Sequence, residues 1–66
     1  MEWKEQVNDY LITFRIEDSE GEGFIFTATR HDGLTAKMEF EQLPHKEDVS
    51  TLFISNPEYR KMVGYD

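Results

Sequence analysis

The sequence predicts a small α+β domain, a three- or four-stranded antiparallel β-meander packed with one or two short C-terminal helices. Three observations predict it. Residues 10–41 hold three stretches in which apolar and polar side chains alternate, the period of a half-buried strand. Turn-forming residues separate those stretches. The rest of the chain carries apolar residues at helical spacing and one clear helix-start signal. At 66 residues the chain is read as a single domain. It divides into an N-terminal arm (1–9), the meander (10–41) and a mainly helical part (44–64).

Residues 1–9 are expected to form an irregular or extended arm that lays Trp3 over the sheet. Two other readings stay open. Trp3, Val7 and Tyr10 suit a helical turn, and Trp3, Glu5 and Val7 would share a face of a strand closed by Asn8 and Asp9. The first meander strand puts Tyr10, Ile12, Phe14 and Ile16 on one face and Thr13, Arg15 and Glu17 on the other. The second offers Ile25, Thr27 and Thr29 to the polar face. The third sets Leu34, Ala36, Met38 and Phe40 against Thr35, Lys37, Glu39 and Glu41. Residues 19–23 read as a longer hairpin loop. Asp32 and Gly33 predict a two-residue type I′ turn, since both tolerate positive φ.

Pro44 ends the meander and suits a first helical turn. His45, Val49, Leu52 and Phe53 form an amphipathic stripe, with Glu47 and Asp48 near the positive end of the helix. Residues 49–54 are rich in β-branched side chains, so a fourth strand stays open as the alternative. The next helix is better signalled. Asn56 suits the N-cap, Pro57 the first position and Gly64 the residue after the C-cap. Tyr59, Met62 and Val63 form its apolar stripe.

Composition limits the function. The net charge is −7, from 14 acidic and 7 basic residues. Direct nucleic-acid binding is therefore not expected, because it needs Lys and Arg to replace counterions. Basic partners are expected instead. There is no Cys, so neither a disulfide nor a thiolate metal site can staple the fold. A domain of this size buries only about 60% of its unfolded surface. Pairing with a second copy is one way to add to that, and a homodimer is among the expected assemblies. No secretory signal or membrane-spanning run is read, and the expected location is the cytoplasm.

The acids are clustered as well as numerous. The first and third meander strands run the same way, so their C-terminal ends share one edge beside the 19–23 loop. Glu17, Asp18, Glu20, Glu22, Glu39 and Glu41 are expected to gather there, joined by Glu47 and Asp48 from the next segment. These eight carboxylates are the candidate partner-binding residues. Successive same-face residues of a strand lie about 6.6 Å apart, so Glu39 and Glu41 present carboxylates in a row. Carboxylates accept the forked hydrogen bonds of Arg that phosphates also accept.

Other chemistry finds less support. Residues 18–25 resemble the start of a calcium-binding EF-hand loop, with acids at positions 1, 3 and 5 and Gly at 6. Position 12 is Thr29 rather than Glu, and the flanks read as strands. No metal or other cofactor is predicted. The only imidazoles are His31, in a turn, and His45, before a helix. Neither is placed against a nucleophile, so no catalytic residues are assigned and the protein is not expected to be an enzyme.

With its short Cys-free chain, its acidic loop Glu17-Asp18-Ser19-Glu20-Gly21-Glu22 and its acidic strand end Met38-Glu39-Phe40-Glu41, the sequence resembles the small acidic DNA-mimic proteins of phages. It looks most like those that inhibit the bacterial histone-like protein HU. The resemblance is one of charge layout over the whole chain. It implies a non-catalytic inhibitor that occupies the basic DNA site of a host DNA-binding protein, acting in the host cytoplasm. Arg15, Arg30 and Lys37 depart from an all-acidic face. Two alternatives stay open. One is a module that binds a basic protein without imitating DNA. The other is a structural or regulatory subunit that uses the apolar faces around Trp3, Ile25 and Tyr65.

Overall fold

The structure, a computed structural model, describes residues 1–65. Four strands form one antiparallel sheet in sequence order: β1 (Glu2–Val7), β2 (Tyr10–Asp18), β3 (Phe24–Arg30) and β4 (Thr35–Phe40). A 3₁₀ turn (Lys46–Asp48) and two short helices, α1 (Val49–Phe53) and α2 (Pro57–Met62), follow. They cover one face of the sheet. The other face is open. No helix among the described residues is long and apolar enough to cross a membrane.

The N-terminal arm is a correction, for it is an edge strand. It pairs with β2 from Glu2 opposite Arg15 to Val7 opposite Tyr10. Asn8 makes the tight turn possible at φ 54°, in the left-handed region that Asn tolerates better than most residues. The Asn8 side-chain amide also donates to the Val63 carbonyl, which pins the turn to the end of α2. Trp3 therefore belongs to the sheet's buried face, stacked on Phe14 at 5.5 Å between ring centroids. Its indole N–H donates to the Glu5 carboxylate at 2.7 Å. A charged residue thus occupies the inward row of β1 and gives the indole its acceptor.

The β3–β4 connection is a second correction. The Gly33 N–H donates to the Arg30 carbonyl at 2.8 Å, and the Arg30 N–H to the Leu34 carbonyl at 2.7 Å. Of the loop residues 31–33, only Gly33 has positive φ, at 105°. This is a three-residue loop with one left-handed residue, not a two-residue type I′ turn. Register explains it. Phe26 and Ala28 must share a face with Met38 and Ala36, and they stand directly opposite them. A two-residue loop would put Ala28 opposite Lys37 and turn the apolar row of β4 to the open side. Leu34 now lies outside the strand and is exposed.

Arg30 ties this loop to the helices. Its guanidinium binds the Asp32 carboxylate through two hydrogen bonds, of 2.9 and 2.6 Å. It also donates to the Met62 carbonyl at 2.9 Å and lies 4.7 Å from the centre of the Tyr10 ring. The Asp32 carboxyl is held down at about 2, from an ordinary 3.8, chiefly by the Arg30 hydrogen bond. Burial opposes the shift and the Leu34 N–H adds to it. A carboxyl lowered in the folded state stabilises the fold above its unfolded pKa. The contribution is therefore complete above about pH 4 and lost as pH falls through about 2. Asp32→Asn is expected to remove that part of the acid limb. Urea titrations of both proteins between those pH values would show the stability gap closing as pH falls, and a constant gap would contradict it.

The helical segment resolves the choice at 49–54. Val49 and Phe53 are fully buried, four residues apart on one helical face, and this burial outweighs the β-propensity of Val, Thr and Ile. His45 does not join the stripe. It precedes the 3₁₀ turn in extended conformation and is exposed. In α2 the Asn56 side-chain oxygen accepts from the backbone N–H of Glu58 and of Tyr59, at 2.9 and 3.3 Å, with Pro57 next to it. Gly64 closes the helix at φ 82°. The Tyr65 N–H reaches the Arg60 carbonyl and the Gly64 N–H the Lys61 carbonyl, the paired bonds of a Schellman ending. The core between sheet and helices is aromatic, with Phe14, Phe26, Phe53 and Tyr59 all at most 1% exposed.

Candidate binding surface at the acidic end of the sheet

β2 and β4 both run antiparallel to β3, so their C-terminal ends meet at one end of the sheet. Glu17, Ile25 and Glu39 stand side by side across three strands on the open face. With neighbouring strands about 4.8 Å apart, the two glutamates are roughly 10 Å apart. In the next row, on the opposite face, Asp18 stands beside Phe24 and Phe40.

The loop between β2 and β3 is held against this end. The Ser19 N–H donates to the Gly23 carbonyl at 3.2 Å. Gly23 has φ 107°, and a Cβ there would lie 2.5 Å from the Phe40 carbonyl oxygen. Only glycine lets the loop backbone approach β4 so closely. The approach forms a shallow cleft lined by Ser19, Glu22, Phe24, Glu39, Phe40 and Glu41. Glu22 from the loop and Glu39 and Glu41 from the β4 end thus flank one depression with an aromatic floor. Glu20 is exposed on the loop itself.

Six of the eight predicted carboxylates therefore collect at one end: Glu17, Asp18, Glu20, Glu22, Glu39 and Glu41, all exposed. Glu47 and Asp48 do not join them. The chain leaving β4 crosses the covered face, and Glu47 lines a different cleft with Trp3, Lys4, Glu5 and Lys46 at the β1 edge. Lys46 lies 5.3 Å from the centre of the Trp3 ring. Asp48, next in the chain, is the N-cap residue of α1. Their expected place in the cluster is corrected by this crossing.

The chain matches no family model, no curated protein and no solved structure.

The open face limits how far the acidic surface extends. Arg15 binds Glu17 at 2.9 Å, both side chains being more than half exposed, so one acid of the row carries its own counter-charge. The adjoining row across the sheet is Glu2, Arg15, Thr27 and Lys37, and the one after it Lys4, Thr13, Thr29 and Thr35. Acid dominates only the terminal row and the loop. Among the described residues no group of three His, Asp or Glu side chains is arranged to hold a metal ion. Clustered carboxylates such as these can accept hydrogen bonds from Arg and Lys.

In the sequence Tyr59 stands out only as part of an apolar stripe. Its hydroxyl is buried without a hydrogen-bond partner, behind a cleft shared with Val7, Ser50, Thr51, Ile54 and Tyr65. Burial first, then the charges of Glu5 and Tyr65, push it up to about 12. It stays a protonated donor at neutral pH. Nothing in the spacing of residues 57–63 signals that the hydroxyl end of this side chain would be enclosed.

Proposed function

We propose that the protein is a non-catalytic acidic decoy. It occupies the basic DNA-binding site of a DNA-binding protein, of the kind HU-like nucleoid proteins present, and keeps DNA out. The proposal puts its action in the cytoplasm, that of a bacterial host if a phage encodes it. The observation that carries it is the cleft at the sheet end, where Glu22, Glu39 and Glu41 surround one depression beside the Glu17–Ile25–Glu39 row. Carboxylates fixed at such spacings accept the same forked bonds as phosphates. Dispersed charge would be screened beyond about 8 Å. The net charge of −7 would speed encounter with a basic groove.

Reversing Glu17, Glu20, Glu39 and Glu41 to Lys is expected to abolish binding to a purified HU-type protein. A paired comparison separates placement from net charge. Glu39→Lys with Glu41→Lys should weaken binding at least tenfold more than Glu47→Lys with Asp48→Lys, which changes the charge equally away from the cleft. Close interfacial charge pairs contribute about 1.5–7 kcal/mol, and each 1.4 kcal/mol is about tenfold. Fluorescence anisotropy of the labelled protein reads this directly. Equal losses in the two pairs would reject the cleft.

A second reading is favoured by the Arg15–Glu17 pair and by the adjoining row with Arg15 and Lys37. They confine the acidic surface to a strip, which suits a basic tail better than a groove shaped for a duplex. Duplex DNA added to the complex discriminates the two. It must displace a decoy, and it leaves a tail bound outside the DNA site in place.

A further inference from the structure

The two edges of the sheet are not equivalent. Met1 and Ile16 exchange backbone hydrogen bonds of 2.9 and 3.2 Å. By the alternation of an antiparallel ladder, Trp3, Glu5 and Val7 also bond inward to β2, and the backbone groups of Glu2, Lys4 and Gln6 point away from the sheet. At the other edge the Arg30 N–H donates to the Leu34 carbonyl, so Thr35, Lys37 and Glu39 point away. There the Asn56 side chain donates to the Lys37 carbonyl at 3.4 Å and helps close the edge. Among the described residues, no side chain bonds to the outward backbone of Glu2, Lys4 or Gln6. Uncovered strand edges are templates for strand addition.

The side chains along the β1 edge are self-complementary. Glu2 and Lys4 are exposed and lie on the open face. Among the described residues neither joins an ion pair or a side-chain hydrogen bond. With Met1 counted in, since it too bonds to β2, a second copy of residues 1–7 laid antiparallel against the first has three registers that overlap five residues or more and bring outward backbone groups together. One sets Lys4 opposite the same lysine of the copy. Another sets Glu5 opposite the same glutamate. Only the third, centred on Trp3, sets Glu2 opposite the copy's Lys4, and by symmetry does so twice. Opposite charges directly across an antiparallel pair are favourable, and like charges are not.

We propose that the protein forms a two-fold symmetric dimer through β1 in this register, joining two four-stranded sheets into one. The backbone groups of Glu2 and Lys4 supply the bonds of strand addition, and the two Glu2–Lys4 pairs select the register. The inference does not depend on the decoy reading, because Glu2 and Lys4 lie outside the acidic end and the test below uses no DNA-binding protein.

Sedimentation equilibrium of the whole chain, from micromolar to millimolar, tests it. A concentration-dependent dimer is expected. Glu2→Lys alone or Lys4→Glu alone should raise its Kd about tenfold, by turning two attractive pairs into repulsive ones. The double exchange should restore it to within about twofold. Both side chains are exposed, so circular dichroism should show each variant folded. Since the chain has no Cys, a cysteine pair reads the register. An equal mixture of Glu2→Cys and Lys4→Cys chains should cross-link on oxidation faster than either alone, because directly opposed Cα atoms lie about 5.5 Å apart, within disulfide reach. A monomer at all concentrations overturns the proposal. So does a dimer indifferent to both single reversals, or fastest cross-linking by Lys4→Cys alone.

Discussion

Truncating Phe14 to alanine is expected to remove about 3–5 kcal/mol of stability at 25 °C. Phe14 is 1% exposed, and its ring lies 5.5 Å from that of Trp3, 6.0 Å from Phe53 and 6.3 Å from Tyr59. It joins the edge strand to both helices. Its row across the sheet continues as Ala28 and Ala36, and those small residues leave no neighbour on that side to fill the void. Removing a buried Phe costs about 3–5 kcal/mol. At roughly 0.05–0.15 kcal/mol per residue, a chain of this length has about 3–10 kcal/mol in all. Urea titration followed by Trp3 fluorescence measures the loss. Phe14→Leu, which keeps most of the volume, is expected to cost less than about 1.5 kcal/mol. A similar cost for both would show that the void is not the cause.

Gly23→Ala is expected to be the most damaging substitution outside the core. Alanine at φ 107° would be strained wherever it stood, and here its Cβ would also meet the Phe40 carbonyl oxygen at 2.5 Å and the Glu41 Cα at 3.3 Å. Sparsely populated backbone conformations cost about 1–3 kcal/mol, and the clash with backbone adds to that. A loss of about 3 kcal/mol would lower the melting temperature by about 12–24 °C. Gly21→Ala is the control in the same loop. It has no positive φ and nothing within 4 Å of a Cβ, so its melting temperature should stay within a few degrees of wild type. Equal effects would remove the special role of Gly23. Because Gly23 seats the loop against β4, a variant that still folds should also lose the cleft between Glu22 and Glu41.

The faces of the meander and the ends of α2 were legible because each depends on neighbours in sequence. Alternation placed Phe14 and Ala36 inward, and Asn56, Pro57 and Gly64 bounded the last helix. The β3–β4 loop was legible in principle. Inward residues are even-numbered on both strands, which requires an odd number of loop residues, and the pull of the Asp32–Gly33 pair obscured this. β1 was legible only as an alternative, because Glu5 puts a charged residue in an inward row, and its partner Trp3 explains it only once the strand is drawn. For the acidic end, Glu17 and Glu39 followed from strand direction alone. The separation of Glu47 and Asp48 did not, since residues 41–45 carry no signal for the direction in which the chain crosses the sheet.

Each strand bonds only to its neighbour in sequence, which has a consequence for how the chain folds. The three connections within the sheet are short, and the entropy lost in closing them is correspondingly small. The covering is different. Phe53 and Tyr59 must return across the chain to reach Phe14, and only then are Trp3 and Phe26 withdrawn from water. The low contact order of the ladder favours a fast approach to the native state, while docking of α1 and α2 carries the larger loop-closure cost. Substitutions in that docking seam should thus govern how long the aromatic side of the sheet stays available for association with other chains, more than substitutions in the ladder itself.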